Sequence, residues 1–442
     1  EILFGDWSSD VCSSDLAEFA KNAQPGDYFS LKKASVSHMV PQADNPRHSD
    51  KRINVSKLTE ILEIDPANRI CIAESGVTFQ KLVRATLKHN LIPMCVSELK
   101  TITIGGAVAG CSVESMSYKY GGFYDSCVEF EVITGNGEII QCSQSLEKDL
   151  FEMIHGSFGT LGILTCLKFR LLPAKPFVRL NYIAYPTFSA LMDAVEGHYK
   201  TKDVDFMDAI VHGQDKCVLC IGSLVDSAPY DHTYYYNIYY QSTLERKVDY
   251  MVTEEYFFRY DTECHWCSRN LGLENKFLRF TLGSFVLGSS NLLHLAEKFP
   301  AFVKQVDPPD VVVDVFIPFQ NMAKFWDWYV KNFNYFPLWI VPYKIETPYP
   351  WINPALQKGI QGQLYIDCAI YAFRQKKGGP NYYKLLEEKV FELQGIKTLI
   401  THNFYNETMF WSTFNKPIYE KVKARSDPKN LFRELYRKTN FN

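Results

Sequence analysis

The chain of 442 residues is 46% hydrophobic and 22% charged, with a formal net charge of −3. This balance is typical of a globular protein with enough core for two or three domains. No block of Lys or Arg is dense enough to indicate a nucleic-acid surface. No uninterrupted apolar run reaches the roughly 18 residues of a membrane-spanning helix. We therefore expect a globular protein that does not bind nucleic acid.

The first sixteen residues differ from the rest. The run from Asp6 to Leu16 back-translates, in one frame, to a common sequencing-library adapter. We interpret residues 1–16 as an adapter-derived artefact and expect residues 5–16 to have no stable place in the fold. On this interpretation the natural N-terminus, with any signal or membrane anchor, lies outside the printed sequence.

From Ala17 onward, helical and period-two patterns predict a mixture of helices and strands. Thr78 is suited to cap a helix whose apolar positions begin at Phe79. Asn136-Gly137 is typical of a type I′ turn between two strands. The predicted elements, in chain order, are a strand at 70–73, a helix at 79–87, a hairpin of 128–134 with 138–142, a helix at 149–154, a strand at 163–172 and a helical pattern at 419–424.

Two glycine-rich segments are the most informative feature of the chain. The first runs from Thr103 to Ser115, and the second runs from Gly156 to Gly162. Neither contains a Rossmann fingerprint or a phosphate-binding P-loop motif. Segments without side chains let backbone N–H groups approach something bulky and anionic, so we expect a loop that holds such a ligand.

The two segments together resemble the FAD-binding domain of the vanillyl-alcohol-oxidase type of flavoprotein. Within that family the chain is similar to the delta-24 sterol reductases, from about residue 28 to the end. The phrases that carry the resemblance are Ile61–Asp65, Ile104–Gly106, Val113–Ser115, Tyr118–Gly121, Gly159–Gly162, Pro173–Lys175, Pro337–Trp339, Leu364–Asp367 and Phe410–Trp411.

The resemblance implies an α+β fold with two main parts. A PCMH-type FAD-binding domain, incomplete at its N-terminus, is expected over residues 17–175. A mixed α/β substrate or cap domain follows over 176–400, and residues 401–442 are expected to pack near the flavin. The Pro173-Ala-Lys-Pro176 phrase suits the first boundary.

The resemblance also implies the cofactors and their ligands. FAD is expected, with NADPH as its electron donor. The residues implied to bind FAD are Thr103, Ile104, Gly105, Gly106, Ala107, Gly110, Cys111, Ser112, Glu114, Ser115, Gly159, Thr160, Gly162 and Ile163.

In the resembled enzymes the reduced flavin delivers a hydride to an isolated side-chain alkene. Such an alkene is a poor hydride acceptor, so a positioned acid has to protonate one carbon in a site that excludes water. Glu114, Tyr118 and Tyr405 are the catalytic candidates, and Lys119 and His155 lie nearby in sequence. For Glu114, hydrogen bonding to the loop backbone is an equal alternative.

The Tyr405 assignment depends on a departure from the family pattern. The family has Tyr, one residue, Asn and then Phe-Trp, whereas this chain has Phe404 at the tyrosine position and a hydroxyl next to it on Tyr405. If this segment is a strand, a shift of one residue turns the side chain to the other face.

Two cysteine pairs invite a metal interpretation. Cys217-x-x-Cys220 lies in an apolar run, where strand geometry places the two thiols on opposite faces. Cys264-x-x-Cys267 lacks ligands at the usual spacing. We expect no metal site, and we expect reduced thiols in an intracellular protein that is cytoplasmic or membrane-associated.

Two alternatives to an alkene reductase stay open. One is an FAD-linked oxidase or dehydrogenase of the same fold that acts on an alcohol or a sugar. The other is a non-catalytic flavin-fold binding protein. An apolar small molecule is the expected partner of the reductase, while the oligomeric state and a covalent link to FAD are not predicted.

Overall fold

The structure is a computed structural model. It describes residues 10–35, 45–235, 237–263, 266, 269, 272, 274–275, 277–280, 287–289, 291, 309–346, 348–360 and 362–440. No helix in this part of the chain is long and apolar enough to span a bilayer.

The strands are β1 (Phe29–Lys32), β2 (Lys51–Asn54), β3 (Ile61–Asp65), β4 (Ile70–Glu74), β5 (Leu91–Pro93), β6 (Cys127–Ile133), β7 (Ile139–Ser143), β8 (Ile163–Pro173), β9 (Phe177–Tyr185), β10 (Phe206–Gly213), β11 (Lys216–Val225), β12 (Val248–Val252), β13 (Val311–Pro318), β14 (Leu338–Lys344), β15 (Leu364–Phe373) and β16 (Ile396–Lys397).

The α-helices are α1 (Asp10–Asn22), α2 (Phe79–Leu87), α3 (Ile104–Ala109), α4 (Ser117–Tyr120), α5 (Lys148–Ile154), α6 (Phe188–Thr201), α7 (Tyr239–Ser242), α8 (Thr253–Phe257), α9 (Met322–Asn332), α10 (Tyr382–Glu392), α11 (Glu407–Thr413), α12 (Lys416–Ser426) and α13 (Leu435–Thr439). This mixture confirms the α+β class.

Two antiparallel sheets organise the chain. The first has the order β3-β4-β8-β6-β7, with β5 added to β8, and the second has the order β12-β9-β11-β10-β14-β15-β13-β16. A separate parallel pair joins β1 to β2. The chain passes from the first sheet to the second between Pro173 and Phe177. The division into domains at 175/176 and 400/401 stays a prediction.

The second sheet separates two apolar clusters. Alternation along β15 turns Ile366 and Cys368 toward the cluster that α6, α9 and α10 cover. Tyr365 and Ala369 point the other way, into the cluster that contains the core of the first sheet. One face of the second sheet therefore lies against its own helices, and the opposite face lies against the first half of the chain.

The C-terminal residues return to the first half of the chain. Leu431 and Phe432 are buried in one cluster with Phe29, Ile133 and Ile163. The Phe29 N–H donates to the Leu431 carbonyl at 2.9 Å. The unit around the first sheet is thus built from both ends of the sequence.

Most of the predicted elements are confirmed. Helix α2 spans the predicted residues, and Thr78 Oγ1 accepts from Lys81 N at 3.3 Å. Strands β6 and β7 form the predicted hairpin. Its turn is not type I′, because that turn needs a positive φ at both central residues and only Gly137, at 78°, has one.

The prediction that residues 5–16 have no place in the fold is wrong for two of them. Leu16 is buried in the cluster with Phe29, and the buried Ser13 donates from Oγ to Glu131 Oε1 at 3.2 Å. Helix α1 carries Leu16, Ala17 and Ala20 toward that cluster, so an apolar stripe decides the packing. The adapter origin stays a prediction.

Leu16 offers a direct test of this packing. Leu16→Ala is expected to lower the free energy of unfolding by about 2 kcal/mol or more, the range for truncating a buried leucine. The same change at Leu62, which is 37% exposed, serves as the control in urea unfolding. Equal effects of the two substitutions would restore the view that residues 5–16 do not contribute to the fold.

Candidate functional site

The first glycine segment folds as a short helix rather than as the predicted loop. Thr103 caps α3, and its Oγ1 accepts from Gly106 N at 3.3 Å. The Ile104 N–H donates to the Val77 carbonyl and the Gly105 N–H to the Ser75 carbonyl, both at 2.9 Å. These N–H groups already have acceptors within the protein. The N–H groups at the start of α3 are therefore not free for a ligand.

The side-chain positions of the adjacent residues Gly105 and Gly106 have different surroundings. A Cβ on Gly105 would lie 2.6 Å from Ser75 Cβ and 2.9 Å from the Ser75 carbonyl oxygen. Gly106 is exposed, and among the described residues outside its own helix backbone only Thr103 Oγ1 lies within 4 Å of its Cβ position, at 3.0 Å. Gly105 is thus required by packing, whereas Gly106 leaves open space beside the helix.

The two glycine segments meet. The Phe158 N–H donates to the Ala109 carbonyl at 3.1 Å. Gly156 has φ of 72°, and a Cβ there would lie 3.4 Å from Cys111 Sγ. Gly162 is required for a different reason, since its Cβ would lie 2.8 Å from a methyl carbon of Val132. The two segments that are implied to bind FAD are therefore in contact in the structure.

The remaining residues implied to bind FAD divide into two groups. Ile104, Ala107 and Ile163 are buried in the apolar clusters, and Thr160 donates to the Ser157 carbonyl at 2.7 Å. Their contacts indicate packing and turn formation. Residues with polar contacts beside the first glycine segment form the second group: Ser112 Oγ lies 2.5 Å from Ser97 Oγ, and Ser115 Oγ accepts from the Tyr256 hydroxyl at 2.9 Å.

A lysine missed by the sequence analysis lies at the second glycine turn. Lys438 Nζ donates to the Phe158 carbonyl at 2.7 Å. Burial, with Arg47 and Lys423 nearby, lowers the pKa of Lys438 to about 7. A bound anion would favour its charged form. The open side of Gly106 and this cation fit a bulky anionic cofactor such as FAD.

Glu114 belongs to a buried ion network that joins the two halves of the chain. Its Oε1 lies 3.1 Å from an Arg259 guanidinium nitrogen, which also lies 3.2 Å from Asp208 Oδ1. Its Oε2 accepts from Ser115 N. Burial raises the pKa of Glu114 to about 7, which Arg259 opposes and Asp208 reinforces. The two oxygens of Glu114 are both engaged, so the contacts favour a positioning role.

Aromatic residues enclose this network. The Arg259 guanidinium lies 4.2 Å from the Tyr256 ring centre and 4.7 Å from that of Tyr260. Asp208 Oδ2 accepts from the Tyr260 hydroxyl and from Trp339 Nε1, both at 2.8 Å. Two carboxylates therefore share one cation in a site without solvent, with aromatic faces supplying further attraction.

The other two catalytic candidates lie apart from Glu114. Tyr118 is fully buried in the cluster that faces α6, and its hydroxyl donates to the Val204 carbonyl. Tyr405 is buried near Lys397, whose Nζ lies 5.7 Å from the ring centre. The structure does not bring the three together, and their catalytic roles stay predictions.

A second polar chain, not found from the sequence, lies on the other side of the glycine segments. The Tyr343 and Tyr349 hydroxyls contact each other, and Tyr349 donates to Asp125 Oδ2 at 2.7 Å. Burial raises the pKa of Asp125 to about 6. His155 packs on Tyr349 at 4.5 Å between ring centres, and burial lowers its pKa to about 3, so it is neutral.

The C-terminal segment packs on the second glycine turn. Trp411, Phe414 and Tyr419 line a cavity of about 10 Å³ together with Gly156 and Ser157. This volume suits about one water molecule and is too small for a substrate. Lys423 Nζ donates to the Thr160 carbonyl at 2.8 Å.

The predicted placement of the Cys217 and Cys220 thiols on opposite faces of a strand is confirmed. Cys217 and Cys220 are buried in different apolar clusters, on opposite faces of β11. Cys264 and Cys267 lie outside the described residues. Within the described ranges, no group of His, Cys, Asp and Glu is arranged to hold a metal ion.

Comparison of the sequence with known proteins also indicates an FAD-binding protein. A family model described as "FAD binding domain" matches residues 37–143. The human Delta(24)-sterol reductase is 24% identical over 407 residues, which cover 88% of this chain and 77% of that protein. The Arabidopsis thaliana Delta(24)-sterol reductase is 24% identical over 460 residues, covering 94% of this chain and 81% of that protein.

A relative that is not named as a sterol reductase matches a shorter part of this chain. Cytokinin dehydrogenase 1 of Arabidopsis thaliana is 28% identical over 192 residues, which cover 43% of this chain and 32% of that protein. The resemblance to FAD-binding flavoproteins, and within them to the sterol reductases, is thereby confirmed.

Proposed function

We propose, from the premise that this chain is an FAD-dependent oxidoreductase, that it uses NADPH to reduce an isolated carbon–carbon double bond in the side chain of a sterol-like or isoprenoid substrate. The observation that carries the proposal is the extent of the similarity to the sterol reductases. It covers 94% of this chain for the Arabidopsis relative, so it includes the second sheet as well as the FAD-binding segment.

The second sheet supports the proposal because it supplies a dry surface. Its face toward the first half of the chain carries Trp339, Tyr343 and Tyr365, which all belong to one buried cluster. Apolar and aromatic walls with a few polar groups suit an apolar ligand and exclude water from the reacting carbons.

The chain's own residues would bind and position the cofactor. When bound, FAD would supply the hydride chemistry that side chains cannot perform. Gly106 leaves room for the cofactor beside α3, and Lys438 adds a cation at the second glycine turn. Arg259 and Asp208, through Glu114, hold the first glycine segment against the second sheet.

Anaerobic reduction of the bound flavin tests the proposal. We expect NADPH to bleach the flavin absorbance of the FAD-loaded protein, and a sterol with an isolated side-chain double bond to restore it. The saturated sterol is the control, since it offers no alkene to reduce. Flavin that NADPH leaves oxidised, or that the alkene fails to reoxidise, would contradict the proposal.

One alternative is an FAD-linked oxidase or dehydrogenase of the same fold that acts on an alcohol or a sugar, and the similarity to a protein named cytokinin dehydrogenase 1 supports only its dehydrogenase part. In that case an alcohol or a sugar would bleach the flavin, and oxygen or a quinone would restore its absorbance. The non-catalytic interpretation is set aside, because the chain is an FAD-dependent oxidoreductase.

A further inference from the structure

Asp367 is a buried carboxyl group in an apolar part of the second sheet. It is 3% exposed, and it lies in β15 between Phe316 of β13 and Val341 of β14. No described residue donates a hydrogen bond to its Oδ1. A buried polar atom without a partner is costly, so such a group in a folded protein calls for an explanation.

The surroundings of Asp367 keep it protonated. Burial raises its pKa well above the usual range, and the nearby carboxyl groups of Asp314 and Glu98 reinforce this shift. Tyr371 lies four residues further along the same strand, and its hydroxyl donates to Asp314 Oδ1. Burial and the like charges therefore both favour the protonated, neutral form of Asp367.

Asp367 lies on the sheet face that is turned toward the glycine segments. Alternation along β15 places it with Tyr365 and Ala369, which belong to the cluster shared with the first half of the chain. Glu98 follows Ser97, whose Oγ lies 2.5 Å from Ser112 Oγ in the first glycine segment. The carboxyl group and the proposed cofactor site thus belong to the same interior.

We propose that Asp367 is the catalytic acid that protonates the substrate alkene. This inference rests on the proposed function and adds the proton donor to it. An alkene carbon is a very weak hydrogen-bond acceptor, so the acid that serves it has no strong partner before the reaction. The unpaired Asp367 oxygen in an apolar sheet face matches this requirement.

Protons and electrons balance in the proposed alkene reduction. The Asp367 O–H bond breaks, and the alkene electron pair forms a C–H bond with that proton. The other alkene carbon takes the hydride that reduced FAD supplies, so the cofactor is oxidised and the alkene is reduced. The Asp367 carboxylate then regains a proton from water before the next turnover.

Separate measurement of the two half-reactions tests the role. In FAD-loaded full chain, Asp367→Asn is expected to keep flavin reduction by NADPH within about twofold and to slow flavin reoxidation by the alkene by about 10²-fold or more. Asp193→Asn is the matched control, because Asp193 is exposed on α6 against the opposite sheet face. Alkene reduction that is undiminished in Asp367→Asn overturns the acid role.

Infrared difference spectroscopy gives a readout that needs no substrate. At neutral pH the wild type is expected to show the carbonyl band of a protonated carboxyl group that Asp367→Asn lacks and Asp193→Asn keeps. Absence of that difference overturns the acid role, while alkene turnover by the wild type would leave the proposed function standing. A wild type that reduces no alkene overturns the proposed function, and the acid role with it. Asp367→Ala serves both measurements if the amide variant fails to retain FAD.

Discussion

Replacement of Arg259 by methionine is expected to cost about 3–5 kcal/mol of the free energy of unfolding, the range for removing one partner from a buried ion pair. Glu114 and Asp208 both depend on this guanidinium, which is fully buried. Without it, two carboxyl groups face each other in a site that water does not reach. Urea unfolding of the full chain measures the loss.

The same substitution at Arg84 is the matched control. Arg84 contacts Glu254 at 2.6 Å, but its side chain is 59% exposed, and exposed pairs contribute at most about 1 kcal/mol. The Arg259→Met deficit should also grow as the pH rises above about 7. The pKa of Glu114 lies above its unfolded value, so raising the pH removes stability, and losing Arg259 raises that pKa further. Equal losses for the two arginines would show that the buried network does not stabilise the fold.

Replacement of Gly106 by valine is expected to abolish flavin retention while the protein stays folded. Among the described residues outside its own helix, the Cβ of the new residue meets Thr103 Oγ1 at 3.0 Å, a tight contact that needs that side chain to move by a few tenths of an ångström. The branched side chain fills the open side of α3, where we place the cofactor. Flavin absorbance after gel filtration, compared with far-ultraviolet circular dichroism, separates cofactor loss from unfolding.

Substitutions at two other glycines serve as controls for the Gly106→Val prediction. Gly197 is an exposed glycine in α6 with nothing within 4 Å of its Cβ position, so Gly197→Val should keep the flavin. Gly105→Ala should destabilise the protein by about 1–3 kcal/mol with or without FAD, because its Cβ overlaps Ser75. Full flavin retention by Gly106→Val would show that the cofactor lies elsewhere.

Local pattern was enough to predict the elements that position the site. Thr78 and the apolar face of α2, the β6–β7 hairpin and the long strand β8 all follow from spacing and capping chemistry. The family resemblance implied that both glycine segments bind FAD, which is consistent with their contact in the structure. The helix at Ile104–Ala109 was not expected, since the N–H groups of Ile104 and Gly105 donate to the carbonyls of Val77 and Ser75, about thirty residues earlier.

The polar interior could not be predicted, because its members come from distant segments. Arg259 meets Glu114 across 145 positions (259 minus 114), and nothing in the sequence around either residue indicates the other. Asp367 lies in Leu364–Asp367, one of the segments that carry the family resemblance. The alternation of side chains along this strand can be recognised in the sequence. Which of the two faces of that strand turns toward the glycine segments depends on the whole sheet.

The return of the C-terminus to β1 has a consequence for how the protein is made. Leu431 and Phe432 complete the cluster around Phe29, and they leave the ribosome long after it. The unit around the first sheet therefore waits for these later residues before its apolar surface is covered. Chains of this size fold by parts, and exposed intermediates aggregate. Truncation after residue 430 should therefore lower the expression yield, although the residues removed lie far from the glycine segments in sequence.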